Sequence, residues 1–182
     1  MKPLCAAVGN PEIALLPYDH TKRKTELLQL ADFLPYRLAT LANRISYAIA
    51  EAYSSRFHLT IPAWRVMAVL GLEDNLTAAD LVSRTAMDKV AISRAVSSLL
   101  DMECIHRELD EDDRRRALLT LTPKGRDIYQ RIIPLARCYE QDLLNQLSDE
   151  EQQALKQITN KLQKRVNQWE RNNVNPATLN KE

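Results

Sequence analysis

Arg114, Arg115 and Arg116 stand in a row, and between Asp113 and Arg126 the chain carries five cations (those three, Lys124 and Arg126) against one acid. Guanidinium groups set this close repel one another unless an anion lies nearby, and the minor groove of duplex DNA supplies one. The alternative is a surface loop of ion pairs in which Asp110, Glu111, Asp112 and Asp113 neutralise the arginines. Those acids can equally brace a fork that points outward. A second group lies upstream. On a helical wheel of residues 88–102, Ile92, Val96 and Leu99 share one face, Val90, Arg94 and Ser97 lie opposite, Ser93 is on the flank, and Asp88 and Lys89 sit at the tip. Such a short face of small, polar and cationic residues suits a groove reader: Arg94 for guanine edges, Ser97 for base or phosphate, Val90 for a thymine methyl. An ordinary solvated helix surface would have the same composition.

A third set combines rings with cations. Tyr36, Arg37, Arg44, Tyr47, Trp64 and Arg65 are what a site for a small aromatic carboxylate requires, although dimer packing with surface charge accounts for each of them singly. Catalytic chemistry finds no comparable cluster. His20, His58 and His106 fall in unrelated contexts, the 3 glycines leave no phosphate-cradling loop, and Cys5, Cys104 and Cys138 are too scattered for a zinc site or disulfide framework. The expectation is a non-enzyme with no cofactor and no metal.

The elements that must position these groups are mostly helical. Leu34, Leu38, Leu41, Ile45, Ala48 and Ala52 recur at helical spacing and predict a long amphipathic helix over residues 27–57, bent near Pro35. Thr60 caps a second helix with Pro62 in its first turn. Thr77 and Asp80 form a capping box for a short third helix ending near Arg84, and Asp88 opens a fourth to about Met102. The period then changes to two, giving strands at 105–109 and 117–121 joined by the polar stretch 110–116. Thr122 and Pro123 start a helix running to Leu147 with a kink at Pro134; Ser148 and Glu151 start the last one, through Trp169.

Helix, short helix, helix and charged hairpin is the order of a winged helix-turn-helix, in which the last helix enters the major groove and the hairpin reaches the backbone or minor groove. The run LTAADLVSRTAMDKVAISRAVSSLL and the wing DEDDRRRALLTLTPKG resemble the MarR/SlyA family of bacterial transcriptional regulators. Asp113, Arg114, Arg115, Leu121, Thr122 and Gly125 carry the match to the wing motif. The segment LTIPAWRVMAVL resembles the family's second helix, and the likeness extends over about residues 27–170. The resemblance implies that Asp113 and Arg115 pair, with Arg115 in the minor groove, and that the protein is an obligate homodimer on a pseudo-palindromic operator. It also implies release from DNA by a small aromatic acid. AMDKVAISRA with the preceding PAWR resembles the branch regulating catabolism of aromatic acids such as hydroxycinnamates, where the effector is the free acid or its coenzyme A thioester. One departure is Glu103, which replaces the glycine usual after the recognition helix, so a different helix end and wing angle are expected.

The resulting organisation is an arm over residues 1–26, dimerisation helices at 27–58 and 123–170, a DNA-binding domain at 59–122, and a tail at 171–182. Apolar stripes on the first and last helices support self-association independently, because a domain of 182 residues cannot enclose them all. The net charge of +1 gives no global attraction to nucleic acid, so the local patches must supply it. No run reaches membrane-span length and the apolar opening is too short for a secretory signal, so a cytoplasmic protein is expected. Two other classes remain: a winged-helix module that binds protein, and a regulator that responds through its thiols.

Overall fold

The computed structural model describes residues 28–111 and 113–172. The expected arm at 1–26, with Cys5, His20 and the cations at 22–24, lies outside them, as do Asp112 and the tail from 173 onwards. The described elements are α1 (Leu34–Phe57), α2 (Ile61–Leu70), α3 (Ala78–Thr85), α4 (Lys89–Asp101), β1 (Ile105–Leu109), β2 (Ala117–Leu121), α5 (Pro123–Leu144) and α6 (Asp149–Asn172). They form two units, one ending at Leu41 and the other beginning at Ala42, so the boundary falls inside α1.

Two expectations about helix ends are corrected. The first helix begins at Leu34 rather than 27, and Pro35 falls in its first turn, where a missing N–H costs nothing, so the proline marks a start and not a bend. The fifth ends at Leu144 rather than 147, with its last carbonyls accepting from the N–H of Asn145, Gln146 and Leu147 in a turn. The other starts follow the capping chemistry. Thr60 and Thr122 accept from the N–H three residues on, Thr77 and Asp80 exchange both bonds of a capping box, and Ser148 and Glu151 do the same. Asp80 accepts from both the hydroxyl and the N–H of Thr77, and these hydrogen bonds hold its carboxyl below the usual range.

In the second unit, α2, α3 and α4 enclose Val66, Met67, Leu70, Leu81, Ile92 and Leu99, all fully buried. Each contributes roughly 1.5–3 kcal/mol by leaving water. The antiparallel hairpin pairs Ile105 with Leu121 and Leu109 with Ala117. A single extra bridge joins Leu76 to Leu119 through both backbone bonds, tying the segment before α3 to the hairpin. Leu76 lies in no alternating run, which is why periodicity misses it.

The end of α4 keeps the geometry that glycine would normally supply. Glu103 has φ 56°, its N–H donates to Leu100 O, and the Cys104 N–H donates to Leu99 O, which together make a Schellman end. The expected change of helix end is therefore absent, and Glu103 takes on the left-handed backbone instead. That conformation costs a side-chain-bearing residue about 1 kcal/mol, while the exposed Lys124–Glu103 contact at 3.8 Å offsets little. Glu103→Gly should raise the melting temperature by about 2–4 °C. Thermal denaturation checks this, and an unchanged or lower midpoint would show that the helix end carries no such cost.

Candidate functional site

The α4 helix presents two unlike faces. Ile92, Ala95, Val96 and Leu99 are buried, whereas Lys89, Val90, Ser93, Arg94 and Ser97 are exposed. The side chains singled out as groove readers thus lie on the outward face of one helix. Asp88, placed at the tip of that face, also opens the helix, as its position in the sequence predicts. Its Oδ1 accepts from the N–H of both Val90 and Ala91 at 2.8 Å, so the carboxylate caps α4, and a carboxylate beside phosphates would be repelled.

The hairpin loop separates its arginines into two kinds. Arg116 pairs with Asp110 at 3.3 Å, Arg126 donates to both oxygens of Asp74 (3.1 and 3.2 Å), and Lys124 faces Glu103. Among the described residues Arg114 and Arg115 form no ion pair, and both are exposed. Asp113 braces the loop by accepting the backbone N–H of Arg115 at 3.0 Å, not by pairing with its guanidinium. Five neighbouring cations therefore reduce to two that stay available for an external anion. The surface ion-pair alternative describes Arg116, while the outward fork describes Arg114 and Arg115.

Two ion pairs, one of them forked, join the segment between α2 and α3 to its neighbours. Arg84, in the last turn of α3, holds both carboxylate oxygens of Glu73 and keeps that carboxyl below its ordinary range, and Arg126 holds Asp74 from the first turn of α5. Both pairs are exposed and add little to the anchoring of α3, which comes from the buried Leu81 and the Leu76–Leu119 bridge. Sequence spacing gave no sign of these pairs.

The expected effector residues divide. Tyr36 and Arg37 belong to the first unit, and both are exposed. Arg44 and Tyr47 are exposed on α1 and line no cavity described below. Trp64 and Arg65 do line one: a hollow of about 100 Å³ with Ser46, Ile49, Tyr53 and Ile61, where Arg65 donates to the Ser46 hydroxyl at 3.2 Å. The Tyr53 hydroxyl is pushed up to about 12 by burial, against the opposing pull of the Arg65 charge. Across Ile49 and Trp64 lies a larger cavity of about 460 Å³ between α1, α2 and α5, bordered by Ile45, Leu72, Tyr129, Ile133 and Arg137. The rings of Trp64 and Tyr129 stand 5.9 Å apart. The sequence reading missed Tyr129 and Arg137, because they come from a helix distant in the chain.

The thiols offer little. Cys104 is fully buried, and burial pushes its thiol up, away from the reactive thiolate; Cys138 is exposed on α5. Among the described residues no group of three His, Cys, Asp or Glu can hold a metal ion, and no helix is long and apolar enough to cross a membrane.

Comparison with known proteins places this geometry. Residues 59–116 match the sequence model of the family described as MarR family. The transcriptional regulator HosA of Escherichia coli O111:H- is 26% identical over 104 residues, covering 57% of this chain and 77% of HosA. Among solved structures, a probable transcriptional regulator from Pseudomonas aeruginosa superposes with a TM-score of 0.63 at 29% identity, covering 74% of this chain and 99% of that one. Bordetella bronchiseptica BpsR, whose DNA binding is regulated by 6-hydroxynicotinic acid, superposes with a TM-score of 0.65 at 22% identity, covering 73% and 94%. The winged helix-turn-helix expected from the sequence is the fold found.

Proposed function

We propose that this chain, whose residues 59–116 carry a MarR-family domain, is a sequence-specific transcriptional repressor that binds a pseudo-palindromic duplex as a homodimer. The observation that carries the reading is the outward face of α4 beside a hairpin whose exposed Arg114 and Arg115 form no ion pair among the described residues. Lys89, Val90, Ser93, Arg94 and Ser97 enter the major groove, Arg114 and Arg115 reach the minor groove, and Arg116 and Asp113 hold the loop.

Dimerisation follows from unburied apolar surface. The α6 helix has no buried residue, yet Leu155, Ile158, Leu162, Val166 and Trp169 are spaced by three and four residues, the seam of a helix that packs on another. Leu34, Leu38 and Leu41 of the first unit are likewise exposed. Residues 27–58 and 123–170 are the dimerisation segments in this reading. Two copies then set their α4 helices about one DNA turn, roughly 34 Å, apart.

A small aromatic acid, or its coenzyme A thioester, controls release. Support comes from the aromatic-walled cavity of about 460 Å³, within the range of roughly 300–1,000 Å³ of known ligand sites. BpsR, with the same fold, responds to an aromatic acid. Reciprocity requires operator DNA to weaken ligand binding by the same factor.

The direct test is a gel-shift titration on the operator and on scrambled DNA. Arg94→Ala should cost about 1–3 kcal/mol on the operator and much less on scrambled DNA, since a bidentate guanine contact is read only in sequence. Equal losses on both would reduce Arg94 to a phosphate contact, and a wild-type protein that shifts neither would return the fold to a protein-binding module.

A further inference from the structure

We infer that Arg137, at the mouth of the larger cavity, takes the carboxylate of a planar aromatic monoanion whose ring packs against the wall formed by Trp64 and Tyr129. This rests on the effector reading above and assigns its charge partner. The walls are apolar or aromatic, with Ile45 and Ile49 from α1 and Ile133 from α5, so a ring can leave water there without stranding a polar group. Arg137 follows Ile133 by one helical turn and also borders a second, more polar hollow with Gln141, Asn145 and Gln152. It therefore stands where the apolar space opens to water. Among the described residues Arg137 has no ion pair or hydrogen bond, in contrast to the paired Arg84, Arg116, Arg126 and Arg131.

The other cations are less well placed. Arg65 is bonded to Ser46 in the smaller hollow, and Arg44 borders neither space. A guanidinium offers a planar fork to a carboxylate and presents it in fixed geometry to a ring held beside it. Glu140, one turn from Ala136, also borders the mouth and forms no ion pair with Arg137 among the described residues. Its charge admits one ligand carboxylate next to Arg137 and repels a second, so the geometry selects a monoanion over a dianion.

The test uses calorimetry on the full chain without DNA, with benzoate and cinnamate, each beside its neutral carboxamide, and with phthalate as the dianion. Wild-type protein should prefer an acid over its amide by roughly tenfold or more. Arg137→Gln should remove that preference while leaving amide affinity unchanged, which also shows the cavity intact; Arg137→Lys should restore part of it and Arg44→Gln should leave it alone. Phthalate should bind more weakly than benzoate, and Glu140→Gln should narrow the gap. Acid binding that survives in Arg137→Gln would overturn this assignment and leave the effector reading standing. If the wild-type protein binds neither acids nor amides, the effector reading fails and Arg137 falls with it.

Discussion

Replacing Arg114 and Arg115 together by alanine is expected to weaken DNA binding by about a hundredfold or more, on operator and scrambled DNA alike, because charged hydrogen bonds each contribute roughly 1.5–3 kcal/mol. A dimer would lose four cations. The slope of log affinity against log salt should then fall by about 3–4, since each neutralised phosphate contributes roughly 0.9. Folding should be untouched, because both side chains are exposed and form no ion pair among the described residues, whereas Arg116→Ala breaks the contact with Asp110 and should disturb the loop itself. Gel-shift titrations over a range of salt, with thermal melts of each variant, provide the check. An unchanged salt slope in the double variant would remove the wing from the DNA interface. A slope that fell equally for Arg116→Ala would mean that its ion pair opens on DNA.

Gly125→Ala should be the most damaging single methyl in the second unit. Gly125 does not occupy a left-handed conformation; what it supplies is space. A Cβ there would lie 1.9 Å from the carbonyl oxygen of Cys104 and 2.8 Å from its carbon, and backbone cannot rotate aside. The same carbonyl accepts the N–H of Thr122 at 3.0 Å, and the Thr122 hydroxyl donates to Glu103 O at 2.7 Å. Relief of the clash must therefore separate the start of α5 from the turn after α4. Overpacking of this kind costs roughly 1–3 kcal/mol, and backbone on both sides puts it at the upper end, a fall in Tm of about 6–12 °C. Gly71→Ala is the control. The atoms nearest its Cβ are the outer atoms of the Tyr129 ring, a side chain that can shift where backbone cannot, so a smaller loss is expected. Urea denaturation of both variants ranks them, and equal midpoints for Gly125→Ala and wild type would show that α5 yields without cost.

The element order and most helix starts were legible in the sequence because caps are local. Thr60, Thr77, Asp88, Thr122 and Ser148 each bond within three residues, so spacing alone reveals them. The two strands were equally plain, since alternation from Ile105 to Leu109 and from Ala117 to Leu121 needs no distant partner to be seen. The misread ends had local causes too. Pro35 reads as a bend in the sequence because apolar spacing continues upstream of it, and a proline serves as well at a start as at a kink.

By itself the sequence determined which residues lie outward on α4, that the loop is cationic, and that apolar stripes run along the first and last helices. Each depends on the order of neighbours along one helix or strand. Tertiary structure decided what those residues are free to do. Only contacts between distant segments show that Asp74 holds Arg126, that Glu73 holds Arg84 and that Asp110 takes one of three adjacent arginines. The same holds for the cavity, where α1, α2 and α5 bring Ile45, Trp64, Tyr129 and Arg137 to one space while Arg44 and Tyr47 stay outside it. Charge and ring content are properties of composition, but pairing and enclosure are set by distances through space, which the order of residues does not contain.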